Sequence, residues 1–267
     1  MPTSSTPPTT TPQPLPSQGL GPIRLVATDM DGTLTQKGVL AAPLLEDLQR
    51  LQEAGIDVVI TTGRSAGWVS AIAHYFPVAG AIAENGGVFC ATGGAAGDYR
   101  LFDGAIAADG AAHRRALGEL FAALKALVPR LRPSMDNAFR LTDWTFDVAD
   151  LTPAELQTLG ERCRELGWGF TYSTVQCHLF KPAQTKGNAI AQLHQERYPH
   201  LPLAALLTIG DSPNDESLFE PRFPCSVGVA NLRHYLPRLQ HRPRYITQGD
   251  EWAGFHEVAE RLLAVCP

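Results

Sequence analysis

An apolar run that ends abruptly in acid constrains this chain most. Residues 25–35 read Leu-Val-Ala-Thr-Asp-Met-Asp-Gly-Thr-Leu-Thr. A buried strand places side chains i and i+2 on one face, so Asp29 and Asp31 project together where the strand gives way to a loop. Gly32 permits a sharp turn there. Two carboxylates this close resist ionising together unless a cation lies between them or one keeps its proton. The pair therefore predicts a metal, a proton-transfer role, or both. A calcium loop fits poorly, because Thr33, Leu34 and Leu40 stand where a third acid, a glycine and a final glutamate belong.

The segments that follow repeat the pattern. Leu44, Leu45, Leu48 and Leu51 recur at helical spacing before Gly55, and Ile56 to Thr61 reads as a second buried strand. Strand, helix, strand, with β-branched runs that do not alternate, indicates a parallel sheet covered on both faces. This strand ends in Thr61-Thr62-Gly63-Arg64, and a short strand from Ala81 to Ala83 enters Glu84-Asn85-Gly86-Gly87. The texture then changes to an amphipathic helix over 111–128, an alternating strand over 139–148, a helix opened by the capping box Thr152-Pro153-Ala154-Glu155, and strands over 169–175 and 177–180. The first texture returns with a helix over 185–198, a strand over 203–209 ending in Gly210-Asp211-Ser212-Pro213-Asn214-Asp215, short strands over 225–229 and 244–247, and a closing helix over 251–265. The expected fold is α/β, a Rossmann-like parallel sheet core with an inserted α+β cap domain. Residues 22–87 and 181–267 form the discontinuous core, 88–180 the cap, and 1–21, rich in Pro, Thr and Ser, a disordered tail.

Composition narrows the function classes. A formal charge of −5 over 267 residues offers no electrostatic case for nucleic acid or an anionic membrane. No run is long enough to span a bilayer, and the first residues lack the basic start and apolar core of a secretory signal. A cytoplasmic protein, monomer or homodimer, is expected. The five scattered cysteines form no C-x-x-C pair and signal neither zinc nor a disulfide framework. His74, His113, His194, His200, His234, His241 and His256 show no ligand spacing and read as surface residues.

In an open parallel sheet, ligands bind beyond the carboxyl ends of the strands, near the point where strand order reverses. Asp29 and Asp31, Thr61 and Thr62, and Asp211, Asn214 and Asp215 all fall at such ends. Asp29, Asp211 and Asp215 supply hard oxygen donors without histidine or thiolate, which suits Mg²⁺ better than zinc. Such an ion normally shares a phosphate. Lys186, ahead of Gly187 at a helix start, supplies positive charge to the same anion in preference to Lys181, and Thr62 a hydrogen bond. Arg64 and Asn85 lie on loops at the same edge.

D-M-D-G-T, T-T-G-R, T-K-G-N-A-I and G-D-S-P-N-D, in that order, resemble the four motifs of the haloacid dehalogenase-like phosphatase superfamily. The large insert between the second and third motifs, entered through E-N-G-G, resembles the type-two α/β cap of its Cof-like subgroup. G-D-S-P-N-D is similar to the mannosyl-3-phosphoglycerate phosphatase motif, and the sucrose-6-phosphate phosphatases are a related branch. The resemblance implies a Mg²⁺-dependent phosphatase of a small phosphorylated metabolite, such as a sugar phosphate or phosphorylated glycoside. Asp29 would be the nucleophile forming an aspartyl-phosphate and Asp31 the general acid and base. Asp29, the Asp31 carbonyl and Asp211 would hold the metal, with Asn214 and Asp215 completing or orienting the site. Thr62, Gly63, Arg64, Asn85 and Lys186 would face the phosphate. Arg140, Asp143, Trp144, Tyr172 and His178 are the polar and aromatic residues of the cap strands, and Arg140 is the first choice for an anionic substrate group. A phosphotransferase acting on sugar phosphates and a non-catalytic phosphometabolite-binding regulatory protein are the competing readings.

Overall fold

The structure is a computed structural model that describes residues 11–17, 20–93, 99–106, 109–173 and 175–264. In chain order these form β1 (Gln13–Pro14), β2 (Leu25–Thr28), β3 (Thr35–Gln36), β4 (Val39–Leu40), α1 (Leu44–Glu53), β5 (Asp57–Thr61), α2 (Ala66–Tyr75), β6 (Gly80–Ala83), β7 (Val88–Ala91), β8 (Tyr99–Leu101), α3 (Gly110–Leu127), β9 (Trp144–Asp147), α4 (Pro153–Glu165), β10 (Gly169–Tyr172), β11 (Gln176–Phe180), α5 (Lys186–Arg197), β12 (Leu206–Gly210), β13 (Cys225–Gly228), β14 (Tyr245–Ile246) and α6 (Glu251–Leu263).

The main sheet has nine strands in the order β1-β14-β13-β12-β2-β5-β6-β7-β8. All neighbours from β1 to β6 pair in parallel, and β7 and β8 add antiparallel at one edge. Both faces of the central strands are covered, which explains their unbroken apolar sequences. On one face Val26, Val58, Ile60 and Ile209 pack with Leu44, Leu48 and Leu51 of α1, Val69 and Ile72 of α2, and Phe255, Val258 and Leu262 of α6. On the other, Leu25, Ala27, Val59 and Leu206 pack with Ile190 and Leu193 of α5 and with Leu218 and Phe219. Burying each such leucine contributes about 1.5–3 kcal/mol. From β2 the chain moves outward through β5 and β6, and from β12 the other way through β13 and β14. Strand order therefore reverses between β2 and β12, where a crevice opens at their carboxyl ends.

The inserted segment builds its own core. Strands β10, β11 and β9 form an antiparallel three-stranded sheet. Leu117, Leu120, Phe121 and Leu124 of α3 and Leu159 and Cys163 of α4 pack on it, with Phe146, Cys177 and Leu179. The capping box at Thr152 forms as its sequence dictates.

Three expectations need correction. The expected cap boundary at 88 falls inside the main sheet: Glu84, Asn85 and Gly86 adopt positive φ and turn the chain into the β6–β7 hairpin. The strand expected over 139–148 is shortened to β9, because the amides of Leu141, Thr142 and Asp143 go to the Glu84 carboxylate instead of a neighbouring strand. Part of the expected disordered tail is ordered: Gln13 and Pro14 pair in parallel with Tyr245 and Ile246, and Leu15 packs on the core. Residues 1–10 lie outside the described residues.

Candidate active site

The crevice between β2 and β12 gathers the acids. Asp29 follows β2 directly, and its amide donates to the Ile209 carbonyl of β12 at 2.9 Å. Asp211 follows β12 across from it. At Gly32 φ is +88°, and a Cβ there would stand 2.4 Å from an Asp211 carboxylate oxygen, so only glycine lets the two loops approach. Thr33 Oγ1 and Asn231 Nδ2 donate to the Asp211 carboxylate at 3.3 and 3.1 Å. Lys186, fully buried at the start of α5, donates from Nζ to Asp29 Oδ1 at 2.5 Å and to Asp215 Oδ1 at 2.6 Å. The other Asp215 oxygen accepts the amides of Asp211 and Ser212, which fixes the loop.

Asp29, Asp211 and Asp215 offer oxygens all within 4.8 Å of one another. Burial, then the Asp215 charge, pushes the Asp29 carboxyl up to about 7, against the pull of Lys186. Burial and the Asp29 charge push Asp211 well above the ordinary carboxylate range. Burial opposes the Lys186 charge, yet Asp215 and Asp29 outweigh it and hold the ammonium above its usual value. One lysine faces three acids, so the cluster is short of positive charge. Its donors are hard oxygens throughout, a set suited to a small divalent cation.

Asp31 occupies different surroundings. It is part-exposed, and Arg64 Nε and Nη2 grip its two carboxylate oxygens at 2.8 and 2.6 Å. That hydrogen-bonded pairing raises the Arg64 pKa further above its already high value. Thr62 Oγ1 accepts the Arg64 amide at 3.1 Å. Asn214 Nδ2 donates to Asn85 Oδ1 at 3.1 Å, and the buried Asn85 Nδ2 has no partner among the described residues. Asp29, Asp31, Thr62, Gly63, Arg64 and Asn214 line a cavity of about 10 Å³, roofed from the insert by Ser173, Val175, Gln176 and His178. A wider cleft of about 530 Å³ runs alongside between Trp168 and Phe170 of the insert and Lys186 and Asn214 of the core.

The structure moves Arg140 out of the substrate-binding set. Its side chain is fully buried; Nη1 donates to Gly63 O and both Asp143 oxygens, and Nη2 to Asp136 and Gln176. A guanidinium so engaged has no fork left for a ligand. Trp144 stacks on Phe121 inside the insert's core, and Tyr172 packs on Phe170. Lys181 lies over the Trp168 ring, apart from the acids.

Residues 26–103 match the model of the haloacid dehalogenase-like hydrolase family. A phosphoglycolate phosphatase of Methanothrix thermoacetophila is 28% identical over 249 residues, 91% of this chain and 98% of the relative. Over residues 26–103 the chain resembles the haloacid dehalogenase-like hydrolases. A phosphoglycolate phosphatase of Metallosphaera sedula is 27% identical over 91% of this chain and its own full length. Among solved structures, the Thermoplasma acidophilum 0175 protein superposes with a TM-score of 0.72 at 20% identity, covering 90% of this chain and 98% of its own. The sucrose-phosphatase of Synechocystis sp. PCC6803, solved with sucrose and phosphate, superposes at 0.62 and 19% identity, covering 89% and 97%. These likenesses show that the chain shares their fold.

Sequence reasoning missed several residues of the candidate site. Asn231 bonds Asp211 and the Gly32 carbonyl, and its signal was its place just beyond β13, a fourth parallel strand end. Glu84 is buried and accepts from Ala66 N, Leu141 N, Thr142 N and Thr142 Oγ1, joining core to insert. His113 and His194, expected on the surface, are buried, with Nε2 bonded to the carbonyls of Thr142 and Leu201. Asp47, His256 and Glu260 form a second oxygen and nitrogen cluster, but His256 and Trp252 already donate to the Asp47 carboxylate. It ties α6 to α1.

Proposed function

We propose that the protein is a Mg²⁺-dependent phosphatase acting on a small phosphorylated metabolite through an aspartyl-phosphate on Asp29. One observation carries the reading. At the reversal of strand order, a buried carboxylate restrained by a lysine stands two residues from a second, accessible carboxylate held in an arginine fork. The relatives named phosphoglycolate phosphatases, matched over nine-tenths of the chain, support a small phosphomonoester.

Asp29 Oδ attacks phosphorus while the bond to the leaving oxygen breaks, and Asp31 delivers the proton that oxygen takes up. Asp31 then removes a proton from the attacking water, the phosphorus–Asp29 bond breaks, and phosphate leaves. Lys186 aligns Asp29 and, with the Thr62 hydroxyl and the unpartnered Asn85 Nδ2, faces the phosphoryl oxygens. Asp29 and Asp211 fit Mg²⁺, with Asp215 orienting both the Asp211 loop and Lys186; when bound, the ion offsets the crowded carboxylates and the phosphoryl charge. The insert serves as a cap that shields the reaction from water. Its roof leaves about 10 Å³, room for one water at most, so substrate entry requires the cap to lift.

Phosphate release by the purified protein, with Mg²⁺ and with chelator, across phosphoglycolate, phosphoglycerates, sugar phosphates and phosphorylated disaccharides tests this reading. Metal-dependent release concentrated on one compound is expected. No release from any of them, with bound phosphate ligand detected instead, favours the binding role.

A further inference from the structure

The cap roof brings a histidine ring to the reacting groups. His178 on β11 is 1% exposed and lines the cavity shared with Asp29, Asp31, Thr62 and Asn214. Its Nδ1 lies 2.9 Å from Asp143 Oδ2. Its Nε2 makes no hydrogen bond to another described residue, and the ring lines the cavity. Gly63 explains how the ring comes so near the reacting groups. A Cβ at that position would stand 2.9 Å from His178 Cε1 and 3.0 Å from Nε2, so the absence of a side chain lets the cap ring seat on the second-motif loop.

The state of that nitrogen follows from its neighbours. Asp143 is fully buried, and Arg140 Nη1 donates to both its oxygens at 3.0 Å. Burial works against the Asp143 charge, but Arg140 and His178 outweigh it and hold the carboxylate ionised. An ionised carboxylate only accepts, so Nδ1 carries the ring proton. Burial then pushes His178 below its ordinary value, opposed by Asp143 and aided by the Arg140 and Lys186 charges. A neutral ring protonated on Nδ1 presents a lone pair on Nε2. Of the roof's other polar side chains, Gln176 is already bonded to Arg140 and Asp136, and Ser173 Oγ accepts the amides of Val175 and Gln176.

We propose that His178 Nε2 is the cap's specificity contact and accepts a hydrogen bond from a hydroxyl of the leaving alcohol. The enzyme then selects phosphate monoesters of polyols over those whose leaving group places hydrocarbon or a carboxylate beneath the ring. A carboxylate there meets a lone pair backed by the Asp143 charge, with Arg140 already committed. The proposal rests on the phosphomonoesterase reading above.

The test compares kcat/KM for glycerol phosphate, propyl phosphate and phosphoglycolate in the Mg²⁺-loaded full chain, with p-nitrophenyl phosphate as a hydroxyl-free reference. Wild type should favour glycerol phosphate over propyl phosphate by about tenfold, the usual reach of one buried hydrogen bond. In His178→Leu that ratio should collapse to near one, and His178→Gln, which still offers an accepting oxygen, should recover part of it. Thermal melts establish that each variant folds; if His178→Leu does not, the wild-type ratio and the glutamine variant decide. A wild-type ratio near one, a preference for phosphoglycolate, or a ratio that survives in a folded His178→Leu overturns the proposal. Absence of Mg²⁺-dependent release from every substrate, p-nitrophenyl phosphate included, overturns the phosphatase reading itself.

Discussion

Asp29 and Asp31 lie two residues apart in chemically opposite settings. The first is buried against Lys186, the second part-exposed in the fork of Arg64. This division suits a nucleophile that must stay in line and an acid that must meet solvent and substrate. Arg64→Lys keeps the charge but loses the bidentate grip, so kcat should fall about tenfold while Tm barely changes, readable by steady-state kinetics and melts. Gly32→Ala combines a positive φ with a clash against Asp211; we expect loss of metal-dependent turnover and about 1–3 kcal/mol of stability, measured by denaturant unfolding. The acids were legible in the sequence because their i, i+2 spacing and strand-end position are local facts. Arg140 was not. Its guanidinium looked free because Gly63 and Gln176, which hold it, stand 77 and 36 residues away in sequence.

At the scale of elements, the buried strands and amphipathic helices of the core follow their apolar periodicity closely. What failed was local readings at the joints between elements. Glu84 reads in the sequence only as the first residue of the E-N-G-G entry to the insert, yet its carboxylate receives the amides of Leu141 and Thr142 and so decides where β9 begins. Burial, with the Asp143 charge, pushes its carboxyl above the ordinary value, which marks how little solvent reaches the joint. Glu84→Ala should leave those amides unsatisfied and cost about 2–4 kcal/mol, seen as a lower midpoint in urea. The edge hairpin β6–β7 was misassigned for the same reason: the change of texture at residue 88 is real, but the strand that follows still finds a partner on the main sheet.

For the whole molecule, the crowded acids at the β2–β12 crevice link metal, protons and stability. The Asp29 carboxyl is raised from 3.8 to about 7, so the folded state holds that proton more tightly than the unfolded chain does. Its contribution to stability is complete below about pH 4 and disappears as pH rises through about 7. Metal-free protein should therefore lose Tm between pH 5.5 and 8. In the proposed site Mg²⁺ would bind the deprotonated acids, so the Tm it adds should be larger at pH 8 than at pH 5.5, and equal increments in calorimetry would argue against the site. The same crevice makes the central claim, phosphoryl transfer through Asp29, directly measurable. Single-turnover reaction with a radiolabelled phosphomonoester, quenched in acid, should leave label on the protein that hydroxylamine removes. Asp29→Asn, folded as judged by its melt, should carry none. Wild-type turnover without protein-bound label, together with a near wild-type rate in Asp29→Asn, would contradict the account.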